Sequence, residues 1–151
     1  MRRPVTSIER TAPMGTDVRP EISKDDPYYI SKHRYYELKH FCLQYPEWEQ
    51  EYRALGELAN RSLRMREIPK EEGIRDYTAD LAIKRIALKD KMDIVRETCK
   101  KADPYICEYL FKGVAYGKSF TYLHTALGMP AEKKMYYSRY RKFFYILSHT
   151  H

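Results

Sequence analysis

Between residues 31 and 148 apolar side chains recur every three or four positions, and no stretch alternates with a period of two. That spacing predicts helices without strands. Tyr35, Leu38, Cys42 and Tyr45 make one stripe, on a first helix that Ser31 is placed to cap. Pro46 restarts the chain at a first-turn position, with Glu47 and Glu49 behind it where the helix dipole favours acids. A second helix then extends to about Arg66 on Trp48, Tyr52, Leu55, Ala59, Ser62 and Met65. This seam resembles that of a coiled coil but is thin at Ala59 and Ser62.

Charges, Pro69 and Gly73 mark residues 67–77 as a loop. Thr78 reads as the cap of a third helix running to about Lys101, with Leu81, Leu88, Met92, Val95 and Cys99 on its core side and Ile83, Ile86 and Ile94 widening the stripe. Two long helices joined in this way should lie antiparallel, with Trp48 buried against the third helix. Asp103-Pro104 opens a fourth helix that Gly117 ends; Ser119 caps a fifth with Phe120, Leu123 and Leu127 inward. After the Gly128-Met129-Pro130 turn, a sixth helix spans about Ala131 to Ser148, its core face built from Tyr136, Tyr140, Phe143, Phe144 and Leu147.

The expected fold is therefore all-α: a helical hairpin or bundle over 31–102, and a helix-turn-helix region over 103–151 packed on it. Residues 1–30 are expected to form a flexible tail. Four prolines and the absence of any period leave residues 1–27 too little apolar surface to offset ordering.

Charge sharpens this picture. The chain of 151 residues carries +7, but residues 35–117 are balanced at 15 basic and 15 acidic groups. Residues 118–151 hold six basic groups against one acid, before any of their three histidines is protonated. A polyanion would be drawn to that end. On the last helix the face opposite the core presents Lys133, Lys134, Tyr137, Ser138 and Arg141, with Arg139 and Lys142 at its flanks. Long donors near the start of such a helix reach base edges in the major groove, and those further along meet phosphates. Double-stranded DNA is the expected partner. The same outline also arises in a plain helical hairpin with a basic solvent face, and the turn is longer than in the compact motif.

Two segments, HRYYELKHFCLQYPEWEQEY at 33–52 and GMPAEKKMYYSRYRKFFYILS at 128–148, resemble a family of small prophage proteins of Gram-positive bacteria. The C-terminal part is similar in layout to the helix-turn-helix of sigma-factor region 4 and to phage late-gene activators of the ArpU/RinA type. The resemblance implies a phage-encoded transcriptional regulator in the host cytoplasm that binds DNA through residues 131–142 and touches host RNA polymerase. A homodimer fits such a regulator. The alternative is a phage protein that binds and inhibits a host nuclease or polymerase through its basic, Tyr-rich surface.

An enzyme is not expected. There is no GxSxG, Gly-rich phosphate loop, HExxH or CxxC. His33 and His40 stand alone, His124 is expected to face solvent or a phosphate, and His149 and His151 sit two apart on an end expected to fray, a poor metal pair. Glu47, Glu49 and Glu51 read as a solvated helix face. Cys42, Cys99 and Cys107 are odd in number, widely spaced and set in apolar patterns, which predicts buried free thiols and no metal. Neither a cofactor nor a membrane span is expected, since no run approaches the length of one.

Overall fold

The computed structural model describes residues 24–64 and 72–151. Five α-helices and one π-helical turn account for about four-fifths of them: α1 Lys32–Leu43, α2 Tyr45–Arg64, α3 Glu72–Ala102, α4 Cys107–Tyr116, the π-helical turn Tyr122–Ala126, and α5 Lys133–Thr150. No strand occurs among the described residues. The fold class is all-α, as the periodicity predicts. Residues 1–23 of the expected tail, and residues 65–71 around the expected loop, lie outside the described residues.

The stripe of α1 buries Tyr35, Leu38 and Cys42, and Tyr45 continues it into α2. Ser31 stands at the N-terminal boundary, but its side chain makes no capping bond; its carbonyl accepts the N–H of Tyr35 instead. Gln44 breaks the run, and its carbonyl accepts the N–H groups of Glu47 and Trp48 as α2 starts. Pro46 falls in that first turn, where its missing N–H costs nothing.

Helices α2 and α3 pair antiparallel. Tyr45 receives a hydrogen bond from Arg96, Lys91 stands over the ring of Trp48, and Arg85 stands over that of Tyr52, so one numbering rises while the other falls. Trp48 is buried between this contact and the ring of Phe41, 4.8 Å away.

Two expectations for α3 are corrected. The helix begins at Glu72, so Thr78 lies inside it and does not cap it. A cap needs a non-helical chain before it, and nothing between Glu72 and Tyr77 stops the helix; Gly73 falls in the first turn, where its entropic cost is small. Ile83 and Ile86 do not widen the core stripe: they are 65% and 61% exposed. They lie on the side of α3 away from Leu81 and Leu88, and this half of α3 has α2 as its neighbour on the other side. Ile94, further along, does pack on the core.

Helix α5 packs on α3, α1 and α4 together. It buries Tyr136, Phe143, Phe144 and Leu147, and Tyr140 joins them through a 3.0 Å hydroxyl–hydroxyl hydrogen bond with Tyr35. The far end of α5 is not frayed. Arg34 donates to the carbonyl of His151 at 2.6 Å, and the His151 ring stacks on Phe41 at 4.0 Å. Residues 24–30, expected in the tail, form a turn at Asp26, and the ring of Tyr28 meets that of Tyr145 edge-on at 5.5 Å. The described helices include none long and apolar enough to cross a membrane.

Gly113 of α4 lies directly against Tyr136 of α5. A Cβ there would fall on the Tyr136 hydroxyl oxygen. Gly113→Ala should therefore destabilise the fold by about 1–2 kcal/mol, the cost of overpacking outweighing the better helix propensity of alanine. Chemical denaturation of Gly113→Ala, alone and with Tyr136→Phe, tests this. The second change removes the obstructing oxygen and should recover part of the loss.

Four buried acids should also make the fold sensitive to alkali. Burial pushes the Cys42 and Cys99 thiols and the Tyr136 and Tyr140 hydroxyls well above their ordinary values. The unfolded chain loses these protons first, so their contribution is fully present below the unfolded values and is lost as pH rises through them. The loss approaches about 1.4 kcal/mol per pH unit for each group, beginning near pH 8.5 for the thiols and near 10 for the phenols. Thermal melts should fall from about pH 9 and steepen above 10; a flat midpoint from pH 8.5 to 10.5 would contradict this.

Candidate nucleic-acid interface

The α4–α5 region is built from three stops and restarts. Asp103 caps the first: its Oδ1 accepts the N–H of Tyr105 at 2.8 Å and that of Ile106 at 3.4 Å. Residues 104–106 form a turn, so α4 begins at Cys107, slightly later than Pro104 suggests. Gly117, at φ 67°, ends α4 in the left-handed region that glycine tolerates. Ser119 Oγ then accepts the N–H of Tyr122, as its capping position predicts. The following turn winds wide, with the N–H of Leu127 returning to the carbonyl of Tyr122 five residues back. Gly128, at φ 69°, reverses the chain, and buried Met129 and Ala131 lead it into α5 two residues later than expected.

The two helical pieces close on an aromatic seam. Phe120 meets Tyr136 at 5.7 Å and Tyr137 at 6.2 Å, and Leu123 is fully buried. His124 is exposed; its ring stacks on Phe120 at 5.3 Å, and Nδ1, in the tautomer that carries the proton there, donates to the carbonyl of Met129 at 3.2 Å.

The seven expected DNA-contacting residues fall into three groups. Lys133 and Lys134 are exposed in the first turn of α5. Ser138, Arg141 and Lys142 are half-buried, on the helix side away from the core residues. Tyr137 and Arg139 are held within the protein. Tyr137 packs against Tyr136 and Tyr140 at 5.2 and 6.1 Å. Arg139 donates through Nε to Asp103 Oδ2 at 3.1 Å, its own side chain 35% exposed and that of Asp103 only 6%. No residue from Tyr136 to Ser148 is fully exposed. The outer line of α5 is also covered beyond Lys142, where Tyr145 meets Tyr28 and His149. Apart from the exposed His149 and Thr150 at its far end, the accessible length of α5 is thus confined to its first three turns, roughly 15 Å at helical rise.

Lys118 and Tyr122, beside this surface in sequence, belong to no group named from the sequence. Both are exposed, with Lys118 Nζ 5.1 Å from the Tyr122 ring. The charge excess of residues 118–151 includes Lys118, but its place in a connecting segment kept it off any helical stripe. No group of three or more His, Cys, Asp or Glu side chains among the described residues is arranged to hold a metal. No protein-family model, curated protein or solved structure matches the chain.

Asp103 is the buried charge on which this region turns, since it caps one element and fixes Arg139 of another. Asp103→Ala should cost about 2–4 kcal/mol, combining a lost cap with an arginine left without its partner. Asp103→Asn keeps an acceptor for the backbone and should cost less. Equal stabilities for the two variants in urea would show that the cap adds nothing to the ion pair.

Proposed function

We propose that this chain is a DNA-binding transcriptional regulator, of the phage-encoded kind that its sequence resembles, and that it meets duplex DNA through the N-terminal half of α5. One observation carries the reading: Lys133 and Lys134 are exposed at the start of a helix whose remainder is locked into the core. A rigid helix that offers only its first turns suits end-on entry to the major groove, where N-terminal residues contact base edges. Lys133, Lys134 and Arg141 are the donors for bases and phosphates, with Ser138 between them. Lys118 and Lys142 add phosphate contacts at the sides. Arg139 acts from behind, orienting the helix through Asp103.

A second reading, a ligand of a host nuclease or polymerase, is favoured by a separate observation. Ile83 and Ile86, flanked by exposed Ala79, Ala82 and Ala87, form an apolar strip on α3. Strips of this kind mark protein contacts when they are contiguous.

Titration of random-sequence duplex DNA at several salt concentrations separates the two. The DNA reading expects a log–log slope of about −3 to −5, reduced by about two in Lys133→Ala/Lys134→Ala. Arg141→Ala should weaken binding to a selected site by about 1–3 kcal/mol if it reads a base. No affinity at low salt, or an unchanged slope in the double variant, would sink the assignment of α5 and leave the α3 strip as the candidate surface.

A further inference from the structure

The fold gathers three cysteines that are far apart in sequence. Cys42 lies on α1, Cys99 in the last turns of α3, and Cys107 at the first residue of α4. Burial first, then the neighbouring Cys42 and Cys107 thiols and the Glu108 carboxylate, push the Cys99 thiol far up, against the opposing pull of Arg96. Cys99 therefore has both other cysteines as electrostatic neighbours.

The corner between α3 and α4 places two of them together. The carbonyl of Cys99 accepts the N–H of Asp103 at 3.1 Å, and Asp103 in turn accepts the N–H groups of Tyr105 and Ile106. The chain thus turns back over four residues and returns Cys107 beside the last turns of α3. Cys99 and Cys107 line one cavity of about 20 Å³ with Arg96, Lys100, Glu108 and Phe111. That is room for about one water-sized molecule. Cys42 does not line it, and the two thiols that do differ in access: Cys99 is buried and Cys107 is half-buried.

We infer that Cys99 and Cys107 are a peroxide-oxidisable dithiol, whose disulfide ties the end of α3 to the start of α4. Peroxide meets Cys107 first, because Cys107 is the more accessible. The Cys107 sulfur attacks one peroxide oxygen; an S–O bond forms, the O–O bond breaks, and the departing hydroxide takes a proton to leave as water. The Cys99 sulfur then attacks the sulfenic sulfur of Cys107. The S–S bond forms, the S–O bond breaks, and the leaving hydroxide takes the Cys99 proton as the second water. Two thiols are oxidised by two electrons in all, and one peroxide is reduced to two waters. The crosslink spans Asp103, the residue that positions Arg139 on α5.

The test uses the full chain, folded, treated with dilute hydrogen peroxide, quenched with catalase, then alkylated in guanidinium and digested with trypsin without reduction. Cleavage at Arg96, Lys100, Lys101 and Lys112 separates Cys99 in the peptide 97–100 from Cys107 in the peptide 102–112. The expected result is a linked pair of these peptides that a reductant splits, with Cys42 alkylated, so that titratable thiols fall from three to one. Cys42→Ala should keep the link and Cys107→Ser should abolish it. Alkylation of all three cysteines, a link from Cys99 to Cys42, a link between two chains, or oxidation of Cys107 to the sulfinic acid without a link would each overturn the proposal.

Discussion

Helix α5 brings five bulky side chains to the core. Tyr136, Tyr140, Phe143, Phe144 and Leu147 stand on one side of it, and only a groove walled by several helices can cover five such side chains. α1, α3 and α4 supply the walls. The rings meet edge to face: Tyr35 with Phe144 at 5.1 Å, Tyr140 with Phe144 at 4.9 Å, and Phe143 with Phe144 at 4.9 Å. Such geometry adds about 0.5–1.5 kcal/mol per pair beyond the area buried. The remaining arrangement follows from seating this helix. α1 must lie where Tyr35 reaches Tyr140, and α4 must come close enough for Gly113 to accept the Tyr136 hydroxyl.

Seating α5 so deeply raises an electrostatic difficulty, since the helix carries three cations among its aromatic residues. They meet it in different ways. Arg139 finds the buried carboxylate of Asp103, whose other oxygen is already occupied by two backbone N–H groups. A buried carboxylate is tolerable only when its lone pairs are so satisfied. Arg141 and Lys142 remain half-buried, a position in which long aliphatic stems lie along the protein while the charge stays in water. Basic groups that look alike in the sequence thus differ in what they can offer a polyanion.

Periodicity carried most of the fold. Every helix was visible in the spacing of apolar residues, and the stops at Gly117 and Gly128 were visible because both take a positive φ that glycine tolerates. The misreadings have a common origin, in that local pattern does not report how many neighbours a segment has. Ile83 and Ile86 satisfy the helical period as well as Leu81 and Leu88 do, but that half of α3 has too few partners to cover both sides. Thr78 has the chemistry of a cap, and the chain before it is helical all the same. For the candidate interface, the charge excess drew attention to the C-terminal end of the chain, whereas the fate of Arg139 depended on Asp103, thirty-six positions away and read from the sequence only as a cap. The cysteines were seen as widely spaced; the turn at Asp103 that brings two of them to one cavity is a tertiary effect.

The depth of α5 also constrains how this protein can meet a polyanion. A recognition helix carried on a thin scaffold can lie along a groove with a whole face exposed, whereas α5 has no fully exposed residue from Tyr136 to Ser148. On the proposed reading, contact comes from its first turns and from the Gly128 turn that leads into them. Few phosphates can be reached from so short a frontage, so one chain would hold DNA weakly. Were the proposed reading right, the chain would need either a second copy, which doubles the contacts about a two-fold axis, or a protein that holds it near its site. The apolar strip on α3 is a surface through which such help could arrive. Exposed isoleucines add little to the stability of the monomer that carries them, because they are exposed in its unfolded state as well. Their place in this chain is easier to understand if their partner is another molecule.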